Sequence, residues 1–152
     1  MGTYLADTNL LLRVADPTSP QYSIATEAFE HLYNRGDEDF LTAQNFIEFR
    51  AVATRPVAAN GLGWDSERTA REVVELQKRF RFLKDSPKIF THWLELVRNF
   101  SITGKRVHDA RLVAVLEVHA VENLITFNIS DFLAFPSLSI VDPRSLVARA
   151  GT

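Results

Sequence analysis

The chain contains no cysteine in its 152 residues. That absence excludes disulfide bonds, thiolate-held metal and a cysteine nucleophile together, and it fits a cytoplasmic protein. No apolar run approaches the roughly 18–20 residues that a membrane-spanning helix requires, so no membrane partner is expected. The first residues carry neither a basic stretch nor a signal-type cleavage pattern and lead directly into a strand-like run. A formal net charge of -2 gives no strong bias toward nucleic acid, although clustered acids hide a local basic patch in such a sum. There is also no internal repeat, low-complexity tract or linker. A composition 46% hydrophobic and 24% charged is ordinary for a globular protein. The length suits one core, and residues 1–152 are expected to form a single domain.

Hydrophobic spacing sets out an alternation of strands and helices. Residues 3–6 read as a short buried strand ending at Asp7, and 9–15 as the helix that turns out of it. Asp16-Pro17-Thr18-Ser19-Pro20 breaks the chain. Ile24, Ala25, Ala28, Phe29 and Leu32 then recur at helical spacing until Arg35-Gly36-Asp37. Residues 39–43 form a second strand, and a helix opening at Thr42 or Gln44 runs to about Thr54, before Pro56. Past the Asn60-Gly61-Leu62-Gly63 loop, Asp65 or Ser66 caps a helix ending near Lys78, and 80–83 alternate as a third strand. Ser86-Pro87 opens a helix carrying Phe90, Trp93, Leu94, Val97 and Phe100. Gly104-Lys105-Arg106 is a basic loop, 109–119 are helical, and 124–127 and 138–141 are strands. Helices between strands predict an α/β sandwich around a largely parallel sheet.

Against this frame four acids stand in awkward places. Asp7 ends the apolar opening, Glu48 interrupts Phe46-Ile47-Glu48-Phe49, Asp109 opens an apolar helical run, and Asp131 follows the fourth strand. A carboxylate beside a core element costs desolvation energy unless something positive offsets it. Taken singly, each has a plainer reading: Asp7 and Asp109 as helix caps, Asp131 as turn chemistry, Glu48 solvated on a narrow polar stripe with Gln44, Arg55 or Asn45. Taken together, each follows a strand or sits on the helix after one, and parallel sheets bind ligands beyond the carboxyl ends of their strands. Four converging carboxylates call for a divalent cation, and Mg²⁺ or Mn²⁺ prefers such oxygen ligands.

Four segments carry a family resemblance. They are Tyr4-Leu5-Ala6-Asp7-Thr8-Asn9-Leu10-Leu11, Asn45-Phe46-Ile47-Glu48-Phe49, Val107-His108-Asp109-Ala110-Arg111-Leu112-Val113-Ala114, and Leu124 through Phe132 with Asn128-Ile129-Ser130-Asp131. In this order and spacing the chain resembles the PIN domain, and within it the small stand-alone toxins of the VapC type. The resemblance implies a three-layer α/β/α fold, an acid cluster of Asp7, Glu48, Asp109 and Asp131 holding magnesium or manganese, and endoribonuclease activity. It places Thr8, Asn9 and Asn128 at supporting polar positions. It further implies a homodimer and a small antitoxin partner whose tail blocks the site.

An RNA substrate approaching an acidic cleft needs cations around it. Arg13, Arg50, Lys105, Arg106 and Arg111 are the candidates, each also readable as a solvated charge. Phe29, Phe46, Phe90 and Phe100 fall at core-like spacing, which argues against base stacking, and the four histidines show no metal-ligand spacing. Aspartyl-phosphate chemistry at Asp7 in the haloacid-dehalogenase manner would need an acid where Asn9 stands. A binding module that kept the fold and lost the activity would be expected to have lost acids, and all four are present.

Overall fold

The computed structural model describes residues 2–150. Its strands are β1 (Thr3–Ala6), β2 (Glu38–Thr42), β3 (Arg81–Leu83), β4 (Asn123–Ile125) and β5 (Ser139–Val141). Its helices are α1 (Thr8–Ala15), α2 (Tyr22–Arg35), α3 (Ala43–Ala53), α4 (Ser66–Arg79), α5 (Pro87–Asn99), α6 (Arg106–Val118) and α7 (Pro143–Ala150), with single helical turns at Val57–Ala59 and Ile129–Phe132.

The strands make one sheet in the order β3-β2-β1-β4-β5, every pairing parallel. Successive side chains point to opposite faces. Tyr4, Ala6, Leu41 and Ile125 enter a core covered by α1, α2, α3, α4 and α7, where Phe29 and Phe49 are buried. Leu5 and Leu124 enter the other core, closed by α5 and α6 with Val113, Leu116 and Phe132. The architecture is the expected three-layer α/β/α sandwich.

Topology decides where a ligand would sit. From β1 the chain steps outward through β2 to β3, then returns across the sheet by α5 and α6 to lay β4 on the free side of β1. Strand order therefore reverses between β1 and β4. In open α/β sheets the crevice at such a reversal is where ligands bind.

Two local devices hold the two ends of β1. At its carboxyl end, Thr42 and Asn45 cap α3 reciprocally: the Thr42 hydroxyl accepts from Asn45 N (3.2 Å) and Thr42 N donates to Asn45 Oδ1 (2.8 Å). The same buried amide donates Nδ2 to Ala6 O (3.0 Å) and Thr8 Oγ1 (3.1 Å), tying β1, α1 and α3 into one knot. At the amino end, burial would raise the Asp37 carboxyl. The Gly2 N–H and the Arg35 guanidinium, each 2.6 Å away, outweigh that and hold it below its usual value. Gly36, at φ 82°, ends α2 in the left-handed backbone that glycine adopts without steric cost.

Several expectations need correcting. β2 ends at Thr42 rather than 43, because Thr42 leaves the strand to cap α3. α6 starts at Arg106 rather than 109, so the basic loop is shorter, while Asp109 does lie in the helix's first turn. Nothing between Gly104 and Asp109 breaks a helix. α7 was not foreseen, although Asp142 accepts from Arg144 N (2.9 Å) ahead of Pro143 in a normal helix start. Phe90 is 64% exposed and Phe100 38%, against the core role their spacing suggested. On α5 the apolar stripe is Ile89, Trp93, Leu96 and Val97, and Phe90 lies about 100° around the helix from Ile89.

Candidate active site

Asp7 is the first residue past β1. Its N–H donates to Ile125 O (3.0 Å), continuing the β1–β4 pairing to the strand end. Its two carboxylate oxygens do different things. Oδ1 accepts from Thr8 N (2.8 Å) and caps α1, while Oδ2 accepts from Thr126 Oγ1 (2.7 Å) across the strand-order reversal. Asp7 therefore caps α1, as one reading of the sequence had it, with its second oxygen turned to the strand-order reversal. Thr126 is wholly buried, and its hydroxyl also accepts from Asn128 N (2.9 Å).

Glu48 lies one turn into α3, between exposed Ile47 and buried Phe49. Thr8 Oγ1 donates to its Oε1 (2.8 Å), and Gln44 Nε2 stands 3.5 Å from its Oε2. Thr8 thus relays the Asn45 knot to Glu48. Asp109 comes from the first turn of α6 and Asp131 from the turn Ile129–Phe132. Glu48, Asp109 and Asp131, with Lys105, Arg106 and His108, line a cleft of about 300 Å³.

The acids act on one another. Asp7 is raised to about 6, chiefly by burial; the Thr126 and Thr8 hydrogen bonds oppose the rise, and the charges of Glu48 and Asp131 add to it. Asp109 rises to about 7, first through burial, then through the charges of Asp7, Asp131 and Glu48, with Arg106 opposing. So all four predicted acids share one field, though they come from four separate elements. Among the described residues no three His, Asp or Glu side chains close into a ready-made metal cage. Mg²⁺ does not require one, since it is commonly held by one or two carboxylates and keeps several waters. An all-carboxylate donor set under mutual repulsion fits such an ion, or Mn²⁺.

The supporting residues divide. Thr8 is integral to the network. Asn9 presents a buried Oδ1 that accepts no hydrogen bond among the described residues. Asn128 contributes its backbone N–H to Thr126. Of the cations, Lys105 and Arg106 line the cleft, and Arg106 Nη2 lies 3.4 Å from Asp131 Oδ1. Arg13 is turned to Gln21 (2.8 Å) and Arg50 to Ser66 on α4 (2.7 Å), and neither lines the cleft. Arg111 bonds Gln44 Oε1 and Asp85 Oδ1, each at 3.2 Å. Sequence reasoning missed Thr126, Asn45 and Gln44 as site-builders. For Thr126 the signal was a lone hydroxyl at the carboxyl end of an apolar strand.

Comparison with known proteins agrees with this architecture. Among solved structures the chain is similar to VapBC2 from Rickettsia felis, there bound to a promoter DNA fragment, at 15% identity and a TM-score of 0.69 over 92% of this chain and 98% of that one. It is similar to VapBC-1 from nontypeable Haemophilus influenzae at 17% identity and 0.69, over 93% and 98%. With Mycobacterium tuberculosis VapC20, a sarcin-ricin loop cleaving toxin, it shares 13% identity and 0.58, over 80% and 86%. At these identities the likeness is one of fold. No curated protein sequence matches. The PIN domain profile matches residues 4–135, a span that holds β1 through β4 and every acid of the cleft, and the chain belongs to the PIN domain family.

Proposed function

We propose that the protein is an endoribonuclease dependent on Mg²⁺ or Mn²⁺, and the toxin of a toxin–antitoxin pair. One observation carries the nuclease reading: four acids from four separate elements, Asp7, Glu48, Asp109 and Asp131, act on one another, and burial first and then their mutual charge raise Asp7 to about 6 and Asp109 to about 7. The toxin half of the reading is supported by similarity to VapC20 and to a toxin–antitoxin complex from Klebsiella pneumoniae. The same reading takes residues 1–152 as one domain, acting in the cytoplasm as a homodimer and opposed by a small antitoxin.

Asp7 and Asp109 would be the principal ligands, with Glu48 and Asp131 completing the set. A divalent ion bound there would neutralise the phosphate, acidify the attacking water and stabilise the leaving oxygen. The chain's own residues do the rest. Thr126 and the Thr8 N–H fix the Asp7 carboxylate in one orientation. The Thr8 hydroxyl aims Glu48. Glu48 and Asp131 are the carboxylates available to accept the proton that the attacking water loses. Lys105 and Arg106 contact phosphates along the rim.

Purified protein should cut a mixed, labelled RNA pool with magnesium or manganese and leave it intact with chelator. A folded, inhibitor-free protein that cuts nothing under either metal would instead be a binding module that kept the fold. Thr126→Val keeps the side chain's shape and removes the hydroxyl from Asp7. Cleavage should fall about 10–100-fold, the usual effect of losing a group that orients a metal ligand. The acidic limb of the pH–rate profile should move to higher pH, because a hydrogen bond that lowers the Asp7 pKa is gone. An unmoved limb would deny Thr126 that role.

A further inference from the structure

A second depression, of about 420 Å³, adjoins the acid cleft and is lined by Ser86, Ile89, Phe90, Trp93, His108 and Arg111. His108 is a wall of both. The floor of this depression is mainly apolar. Phe90 and Trp93 stack with centroids 5.8 Å apart and planes 29° from parallel. The indole is fixed by its Nε1–H donating to Val107 O at 2.7 Å. Phe90, 64% exposed, contributes little to the core yet is backed by a ring that is held in place. Two polar residues, Ser86 and Arg111, also line the pocket. Ser86 Oγ is buried and makes no hydrogen bond among the described residues. Arg111 is steadied by Gln44 and Asp85, and Gln44 in turn donates to His108 O (2.7 Å) and reaches toward Glu48. The pocket wall and the acid cleft are therefore joined through one side chain.

We infer that this pocket takes one unpaired nucleobase of the RNA strand whose phosphate lies in the acid cleft, stacked on Phe90. The inference rests on the ribonuclease reading above. Single-stranded RNA is recognised by stacking splayed-out bases on aromatic rings and by hydrogen-bonding their edges. An exposed aromatic shelf with a guanidinium in the same pocket matches that chemistry. The cations Lys105 and Arg106 beside the shared wall suit the connecting phosphates. Lys105 and Arg106 beside the shared wall and Arg111 in the pocket favour an anionic strand over the aromatic side chain of a protein partner.

The test is binding, with cleavage removed. In Asp109→Asn protein, labelled octaadenylate and octauridylate are titrated by fluorescence anisotropy beside an octamer of abasic riboses carrying the same phosphates. Phe90→Ala, at an exposed position, should weaken the base-carrying octamers roughly tenfold and leave the abasic one unchanged. Phe90→Trp should restore the affinity. Equal losses on all three octamers, or none, would overturn the inference. If the parent binds the octamers and Phe90→Ala changes nothing, the pocket alone fails and a protein side chain becomes its remaining occupant. If the parent binds none of them even at low salt, the ribonuclease reading falls with it.

Discussion

Asp109→Asn abolishes cleavage and, at the same time, stabilises the metal-free fold above pH 7. The loss should be on the order of 10³-fold, as expected when a charge that anchors transition-state electrostatics is removed at constant shape. The gain in stability follows from the same charge. Burial and the neighbouring acids Asp7, Asp131 and Glu48 push Asp109 up to about 7, so its ionised form is disfavoured in the folded protein relative to the unfolded chain. Asparagine removes that penalty. Thermal unfolding in chelator at pH 8 should give a higher Tm for the variant, with the difference shrinking as pH falls below 7 and gone below about pH 4, where Asp109 is protonated in the unfolded chain as well. A variant that is inactive and also less stable would mean that the carboxylate serves the fold instead, and the site assignment would fail.

Metal affinity and metal-free stability should respond to pH with opposite signs. Asp7 sits at about 6 and Asp109 at about 7, against an ordinary 3.8, so both folded values are raised. The native state then binds more protons than the unfolded chain between about pH 4 and 7. Without metal, the stability from these protons is complete below pH 4 and is lost as pH rises through 6 and then 7. For Asp7 the loss is about 2 kcal/mol, allowing for its partial exposure. Metal must displace the same protons, so as pH drops its apparent affinity falls about tenfold per pH unit per proton displaced, and about a hundredfold per unit once both are held. Melting curves with chelator should decline from pH 5 to 8, and the rise produced by magnesium should grow over the same range. Asp39, also raised to about 6 by burial although Arg79 and Arg81 oppose it, adds to the decline but not to the metal-dependent part. A magnesium effect that does not change with pH would separate the metal from Asp7 and Asp109.

The sequence disclosed the parts of this molecule that repeat or clash locally. Alternating strands and helical stripes gave the layers, because burial leaves a period in the chain. The acids were visible because each contradicts its apolar surroundings. What remained hidden depends on partners far apart in sequence. Thr126 meets Asp7 across 119 positions, and Asn45 meets Thr8 across 37, so neither residue's neighbours reveal its task. Phe90 was misread for a related reason. Its spacing fits a core stripe, but which of two adjacent helix faces is covered depends on how α5 packs against α6. Arg50 and Arg13 were plausible rim cations until α4 and Gln21 supplied them with nearer partners.

The Asn45 amide has a consequence for how the cleft is divided. One side, carrying Asp7 and Glu48, is assembled when β1, α1 and α3 come together, and Asn45 and Thr8 leave it little freedom. The other side is joined less firmly: Asp131 is reached by Arg106 at 3.4 Å, with both partners well exposed, a contact worth about 0–1 kcal/mol. The site therefore has an anvil and a jaw. Whatever spans the gap would act as a cross-brace between the turn 129–132 and the sheet. Amide hydrogens of β1 and the first turn of α3 should exchange only with global unfolding, while those of 129–132 should exchange through local opening and slow when the gap is bridged.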